Sequence, residues 1–158
     1  MKEVTIYTDG ACSGNPGQGG IGVVLLHAGR KKEIAVGYKH TTNNRMELRA
    51  VITGLEALKE TCKVTLYSDS QYIIDAMNNG WAIRWRANRW KRNKKDRALN
   101  PDLWQRILEL CEQHEVTFIW TRGHNGNFYN ERCDVLAVGA SQGSTLIIDQ
   151  KSADEHLL

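Results

Sequence analysis

Nowhere does the sequence hold the run of about 20 apolar residues that a membrane-spanning helix needs. Its first residues, Met1-Lys2-Glu3-Val4-Thr5-Ile6, also lack the apolar region of a secretory signal, so the expectation is a soluble, cytoplasmic protein with no membrane partner. Cys-x-x-Cys pairs are missing too. The four cysteines stand at 12, 62, 111 and 133, which gives neither a zinc knuckle nor a thioredoxin-like motif. With 158 residues, 41% of them apolar, the chain can bury a core without disulfides, and the thiols are expected to be reduced. No charge sign dominates: 25% of residues are charged and the net charge is +3, so the global balance names no partner. Internal repeats, low-complexity blocks, heptads and apolar surface stripes are absent, which leaves a single monomeric domain as the expectation.

What the sequence does contain is a change of period along the chain. Val4 to Thr8, Ile21 to His27 and Glu33 to Lys39 read as three strands joined by short glycine-rich or charged turns, hence an antiparallel meander. From Met46 to Lys59 the apolar residues Leu48, Val51, Ile52, Leu55 and Leu58 recur at helical spacing. Val64 and Leu66 mark a short buried strand. After Ser68-Asp69-Ser70 comes a second helical stretch with Ile73, Ile74 and Met77. Asn100-Pro101-Asp102 predicts a helix start, with Asn as cap, Pro at the first turn and Asp at the positive helix end, and the helix should run to about Glu112. Val116 to Trp120 is a fifth strand. Cys133, Leu136, Ala137 and Ala140 give the last helix a narrow face of mostly small residues, suited to close packing on a sheet. Beyond Gly143 no period is visible, although Leu146-Ile147-Ile148 is apolar enough to dock and the end should fray. The expected fold is α/β: a five-stranded mixed sheet, three strands antiparallel and the rest parallel crossovers, with helices on both faces.

Four acids could converge at one end of this sheet. Asp9 follows the first strand, Glu47 opens the first long helix, Asp69 follows the fourth strand and Asp134 lies in the last helix. Converging carboxylates supply hard oxygen ligands, which suit Mg²⁺ or Mn²⁺ rather than zinc. Such a pair of ions serves phosphodiester hydrolysis without a covalent intermediate. Each acid also has an ordinary explanation: Asp9-Gly10 is a turn pair, Glu47 is a capping-box partner of Asn44, Asp69 caps the helix after it, and Asp134 faces solvent. The loop Gly14-Asn15-Pro16-Gly17-Gln18-Gly19-Gly20 is no P-loop, since no Gly-Lys-Ser/Thr ending or helix follows it. It is either a tight hairpin or a place where backbone approaches a nucleic-acid strand.

The other asymmetry is a basic segment. Arg84, Arg86, Arg89, Lys91, Arg92, Lys94, Lys95 and Arg97 are interleaved with Trp85 and Trp90 and opposed by Asp96 alone. Concentrated positive potential beside flat indole rings suits phosphates and bases. A solvated basic face with core-anchoring tryptophans reads the same run equally well.

Taken in order, Tyr7-Thr8-Asp9-Gly10-Ala11-Cys12, Thr42-Asn43-Asn44-Arg45-Met46-Glu47-Leu48, Asp69-Ser70-Gln71-Tyr72, Gly123-His124-Asn125-Gly126 and Asn130-Glu131-Arg132-Cys133-Asp134 resemble bacterial type I ribonuclease H over roughly residues 1 to 142. The resemblance implies a ribonuclease-H-like fold and an endonuclease that cuts the RNA of RNA–DNA hybrids, leaving 3′-hydroxyl and 5′-phosphate ends. It implies that Asp9, Glu47, Asp69 and Asp134 hold two Mg²⁺ ions, for which Mn²⁺ can substitute. Glu47 should also meet the RNA 2′-hydroxyl, and His124 should relay a proton or help release product. Cys12, Asn15, Asn43 and Gln71 match the family's RNA-side contacts, and Asn44 is expected among the substrate-binding residues. Thr42 and Asn100 match its DNA phosphate pocket, where His40 stands at a position that close relatives fill with arginine. The basic segment at about 81–97 resembles the family's basic protrusion, with Trp81 and Trp85 expected to contact the DNA strand. Residues 143–158 are then a tail outside the catalytic domain, partly docked or disordered. Two other readings compete: a binding module that keeps the fold without cutting, and another nuclease of the same superfamily, such as a junction resolvase or DNA exonuclease, acting on a different substrate.

Overall fold

The computed structural model describes residues 1–122 and 127–151. Three long strands open the chain: β1 (Lys2–Ser13), β2 (Gly17–His27) and β3 (Arg30–Thr41). They form the expected antiparallel meander, but β1 is longer than its apolar pattern. Asp9 pairs with Gly22 and Gly10 with Ile21, so Asp9 lies within a strand and not in a turn. Then follow α1 (Asn43–Glu56), β4 (Cys62–Ser68), α2 (Gln71–Asn78), α3 (Trp81–Ala87), α4 (Pro101–Gln113), β5 (Glu115–Trp120), α5 (Phe128–Ser141) and β6 (Leu146–Ile147). The sheet order is β5-β4-β1-β2-β3-β6, and β4, β5 and β6 each run parallel to their partners.

Among the described residues the sheet therefore has six strands, not five. Two residues, Leu146 and Ile147, pair with Gly37 and Tyr38 of β3, a segment too short to show an alternation. Helix α1 begins at Asn43 rather than Met46. Thr42 is its cap, its Oγ1 accepting from Arg45 N at 3.3 Å, which places Glu47 beyond the capping-box position. Likewise the α2 cap is Ser70, whose Oγ accepts from Ile73 N, and not Asp69. Asn100 precedes α4 in the left-handed region (φ 57°) and gives the helix no side-chain cap; its amide oxygen is engaged elsewhere.

Period-two alternation in β2 sends side chains to two layers. On one face Val23 meets α1 at Gly54, and behind α1 stand α4 and a core that includes Ile6, Leu48, Leu55, Leu66, Trp104 and Ile107, all fully buried. The other face carries α5. There a Cβ at Gly20 would overlap the Ala137 carbonyl, and one at Gly22 the Cys133 carbonyl, so the helix backbone rests directly on strand backbone. The narrow face of small residues in α5 is the counterpart of this bare stripe. The four cysteines are free thiols. Among the described residues no helix is long and apolar enough to cross a membrane.

Candidate active site

Parallel pairing of β1 with β4 matches Tyr7 to Tyr67, and the two rings stack with centroids 4.7 Å apart. Two residues further along each chain stand Asp9 and Asp69, so the register that stacks the tyrosines also brings the acids level. Asp69 lies in a turn held from several sides. Ser68 Oγ accepts from Ser70 N, Ser68 O accepts from Thr121 N, and the Trp120 indole donates to Asp69 O at 3.2 Å. Glu47 reaches the same point from α1 because Gly10 lets the helix pass: a Cβ there would lie 2.5 Å from Glu47 N and from the Met46 carbonyl carbon. Asp9, Glu47 and Asp69 each offer a carboxylate oxygen, all within 4.8 Å of one another.

Asp9 is 3% exposed and Glu47 8%. Burial, with the charges of Asp69 and Asp134 behind it, pushes Asp9 up to about 8. Burial, then Asp9 and Asp69, pushes Glu47 well above the usual carboxylate range. One Asp9 oxygen accepts from Gly10 N at 2.9 Å, whereas Glu47 Oε2 is buried and has no hydrogen-bond partner among the described residues. Repelling, desolvated oxygens with an orphaned lone-pair site fit a divalent hard cation, which would reverse both upward shifts. Asp134 comes from α5, half-buried, near enough for its charge to be felt at Asp9. His124 lies outside the described residues.

The residues expected at the substrate fall into groups. Asn15 Oδ1 accepts from Asn43 N at 3.1 Å, tying the glycine-rich loop to the start of α1, where Thr42 is the cap and Asn43 and Asn44 are exposed. Cys12 closes the loop behind them, its Sγ lying 3.6 Å from Gly17 O and 3.5 Å from Thr41 O. His40 is exposed near the end of β3, and Asn100 joins this region through Arg45, whose Nη1 donates to its Oδ1 at 3.1 Å. Gln71 opens α2 and donates to Asp75. Trp81 opens α3 half-buried, but Trp85 is 7% exposed and packs edge-on against Trp104 at 5.7 Å.

The basic segment divides by residue type. Trp85 and Trp90 are buried, while Arg84, Arg89, Lys91, Arg92, Lys94, Lys95 and Arg97 are exposed. Tyr72, Trp81, Arg84, Trp85, Lys91 and Arg92 line an open groove of about 660 Å³. Thus the indoles at 85 and 90 anchor the segment, as the core reading of the run expects, and the cations stand exposed on it. Sequence reasoning missed the roles of Ser68 and Trp120 behind Asp69. It also missed Arg45, whose only signal was a cation at a buried position of a helix.

A family model described as RNase H matches residues 1–142. The chain is 61% identical over 149 residues to a ribonuclease H of Desulforamulus reducens, covering 94% of each, and 64% identical over 140 residues to one of Trichodesmium erythraeum, covering 89% of each. It is 55% identical over 150 residues to a ribonuclease HI of a Synechocystis species, again covering 94% of each. Among solved structures it is similar to LC9-RNase H1, a type 1 RNase H with the type 2 active-site motif, with a TM-score of 0.81 at 33% identity, covering 99% of this chain and 81% of that one. It is also similar to LC11-RNase H1, solved in complex with an RNA/DNA hybrid, with a TM-score of 0.65 at 26% identity, covering 87% and 95%.

Proposed function

Since the chain belongs to the ribonuclease H family, as a bacterial type I member and a hydrolase with the ribonuclease-H-like fold, we propose that it cuts the RNA strand of RNA–DNA hybrids endonucleolytically, leaving 3′-hydroxyl and 5′-phosphate ends. The observation that carries this reading is the meeting of Asp9, Glu47 and Asp69 within 4.8 Å at one end of the sheet. Asp9, Glu47, Asp69 and Asp134 would hold two Mg²⁺ ions, or Mn²⁺ in their place. When bound, such ions supply water activation and neutralise charge on the leaving oxygen. The chain's own residues do the rest. Glu47 receives the RNA 2′-hydroxyl, the group that separates RNA from DNA. His124 takes or returns a proton at the leaving group. Cys12, Asn15, Asn43, Asn44 and Gln71 align the RNA strand, Thr42 and Asn100 hold a DNA phosphate with His40 beside them, and Trp81 meets the DNA strand. Residues 1–142 form the catalytic unit, and the protein acts as a cytoplasmic monomer.

The test is cleavage of an end-labelled RNA–DNA hybrid beside matched single-stranded RNA and duplex DNA, in Mg²⁺ or EDTA, with wild type and Asp9→Asn. Metal-dependent cutting of the hybrid's RNA alone, lost in Asp9→Asn, supports the reading. Binding without cutting overturns the enzyme, and cutting of duplex DNA overturns the substrate.

A further inference from the structure

Arg45 is 2% exposed and uses every N–H of its guanidinium. Nε donates to Asp149 Oδ2 at 2.6 Å and Nη2 to Asp149 Oδ1 at 3.1 Å. Nη2 and Nη1 also donate to the two oxygens of Asp102, at 2.9 and 3.1 Å. The second Nη1 hydrogen goes to Asn100 Oδ1 at 3.1 Å. Asp149 lies beyond the residues matched by the family model, yet its side chain is only 2% exposed, and it accepts from Thr41 Oγ1 and Arg49 Nε as well, each at 2.6 Å.

A guanidinium has donors only, so the Asn100 atom that it meets is the amide oxygen and the Nδ2 donors must face the other way. The Asn100 backbone is left-handed and its side chain caps nothing in α4, so its orientation comes from Arg45. Arg45 in turn is gripped through two of its edges, by Asp102 on one and Asp149 on the other, in the paired-fork geometry that fixes a planar group in all its rotations. Without Asp149, the Nε edge of this guanidinium would lose its acceptors, and Asp102 would hold it by the Nη end only.

We propose that Asp149 is a positioning residue for the DNA strand: from the C-terminal segment it holds Arg45 in the one orientation that aims the Asn100 amide donors, beside Thr42, at a backbone phosphate. This rests on the reading above in which Thr42 and Asn100 contact the DNA. Arg45 and Arg49 are balanced by Asp102 and Asp149, so the cluster steers the asparagine without offering a competing charge to the phosphate.

The test is steady-state kinetics on an RNA–DNA hybrid for wild type, Asp149→Asn, Asn100→Ala and the double variant. Hybrid affinity in Ca²⁺ is measured in parallel, so that the contact is also read without turnover. Each single change should raise KM and Kd by about 3- to 10-fold with kcat altered less than about 2-fold, and the double variant should be no worse than Asn100→Ala alone. Thr41→Val, which removes only the hydroxyl that bonds Asp149 Oδ2, is the milder second variant and should show a smaller effect that also vanishes in the Asn100→Ala background. Additive losses in the double variants, or unchanged affinity in Asp149→Asn, overturn the role of Asp149 and leave the phosphate contact standing. Unchanged affinity in Asn100→Ala removes the contact itself and, with it, this role.

Discussion

Gly10 and Glu47 pass so closely that a single methyl group on Gly10 would lie 2.5 Å from the Glu47 backbone nitrogen. The atoms in the way are helix backbone, which cannot swing aside as a side-chain tip can. The absence of a side chain at 10 therefore sets the depth at which Glu47 enters the cluster of acids.

Gly10→Ala should accordingly cost about 2–3 kcal/mol of stability, from strain between two backbones. It should cost activity out of proportion to that, because Glu47 is pushed off Asp9. Urea unfolding and hybrid cleavage at a temperature where the variant stays folded separate the two effects; a stable variant with full activity would contradict the packing.

In EDTA the acids should work against the fold. The folded value of Asp9, about 8, lies above the ordinary 3.8, so between these pH values the folded chain binds more protons than the unfolded one and stability falls as pH rises. Asp9→Asn should match wild type near pH 4 and exceed it by about 2 kcal/mol or more near pH 8.5, while cleavage falls by at least about a thousandfold. Thermal unfolding across this range, with and without Mg²⁺, measures the first effect, and Mg²⁺ should close the gap.

The Arg45 cluster has the opposite sign. Hydrogen bonds from Arg45, Thr41 and Arg49 outweigh burial and hold Asp149 down to about 2, and Arg45 lowers Asp102 as well. Their contribution is complete above the unfolded carboxylate value and is lost as pH falls from about 4 to about 2. Asp149→Ala should destabilise by about 3–5 kcal/mol at pH 7, since it strands half of a buried guanidinium, and by much less at pH 2. An equal penalty at both values would refute the linkage.

The two tryptophans of α3 should separate cleanly. Trp85→Ala empties the contact with Trp104 and should cost about 3–5 kcal/mol in unfolding experiments. Trp81→Ala should leave stability within about 1 kcal/mol and weaken hybrid binding by about 1–3 kcal/mol. A reversal of this pattern would put the DNA contact on Trp85.

Lys91→Ala with Arg92→Ala should reduce the slope of log affinity against log salt by about 1 to 2, since both cations are exposed on the groove. Hybrid binding titrations at several salt concentrations measure the slope, which will not move if these side chains face only solvent.

Much of the architecture was legible in advance because it is written in local period. The meander, the apolar face of α1, the Pro101 start of α4 and the small face of α5 all follow from neighbours a few residues apart. The acids are readable as a set from the order and spacing of their motifs, although Asp9 lies within β1 and Asp134 in the middle of α5. What escaped was written in partners distant along the chain. Nothing near Arg45 announces that it is neutralised by Asp149, 104 residues away. Asn100 has the residue type and place of a helix cap, yet its oxygen accepts from Arg45, and Leu146-Ile147 is too short to carry an alternation of its own. Trp85 and Trp90 were ambiguous because an indole serves a core and a nucleic acid with the same ring, and only burial separates the two uses.

Helix α5 rests on the bare backbone of β2 at Gly20 and Gly22, with no layer of rotamers between them. Most helices ride on side chains that can repack when the helix shifts by half an ångström, a cushion that absorbs substitutions and thermal jostling alike. Here the spacing is a stop between hard atoms, and Asp134 inherits its height above the sheet from that stop. Mutations elsewhere in the core can therefore loosen the domain while its distance to Asp9 stays nearly constant, whereas one methyl group at Gly20 or Gly22 would lift the whole helix and this acid with it.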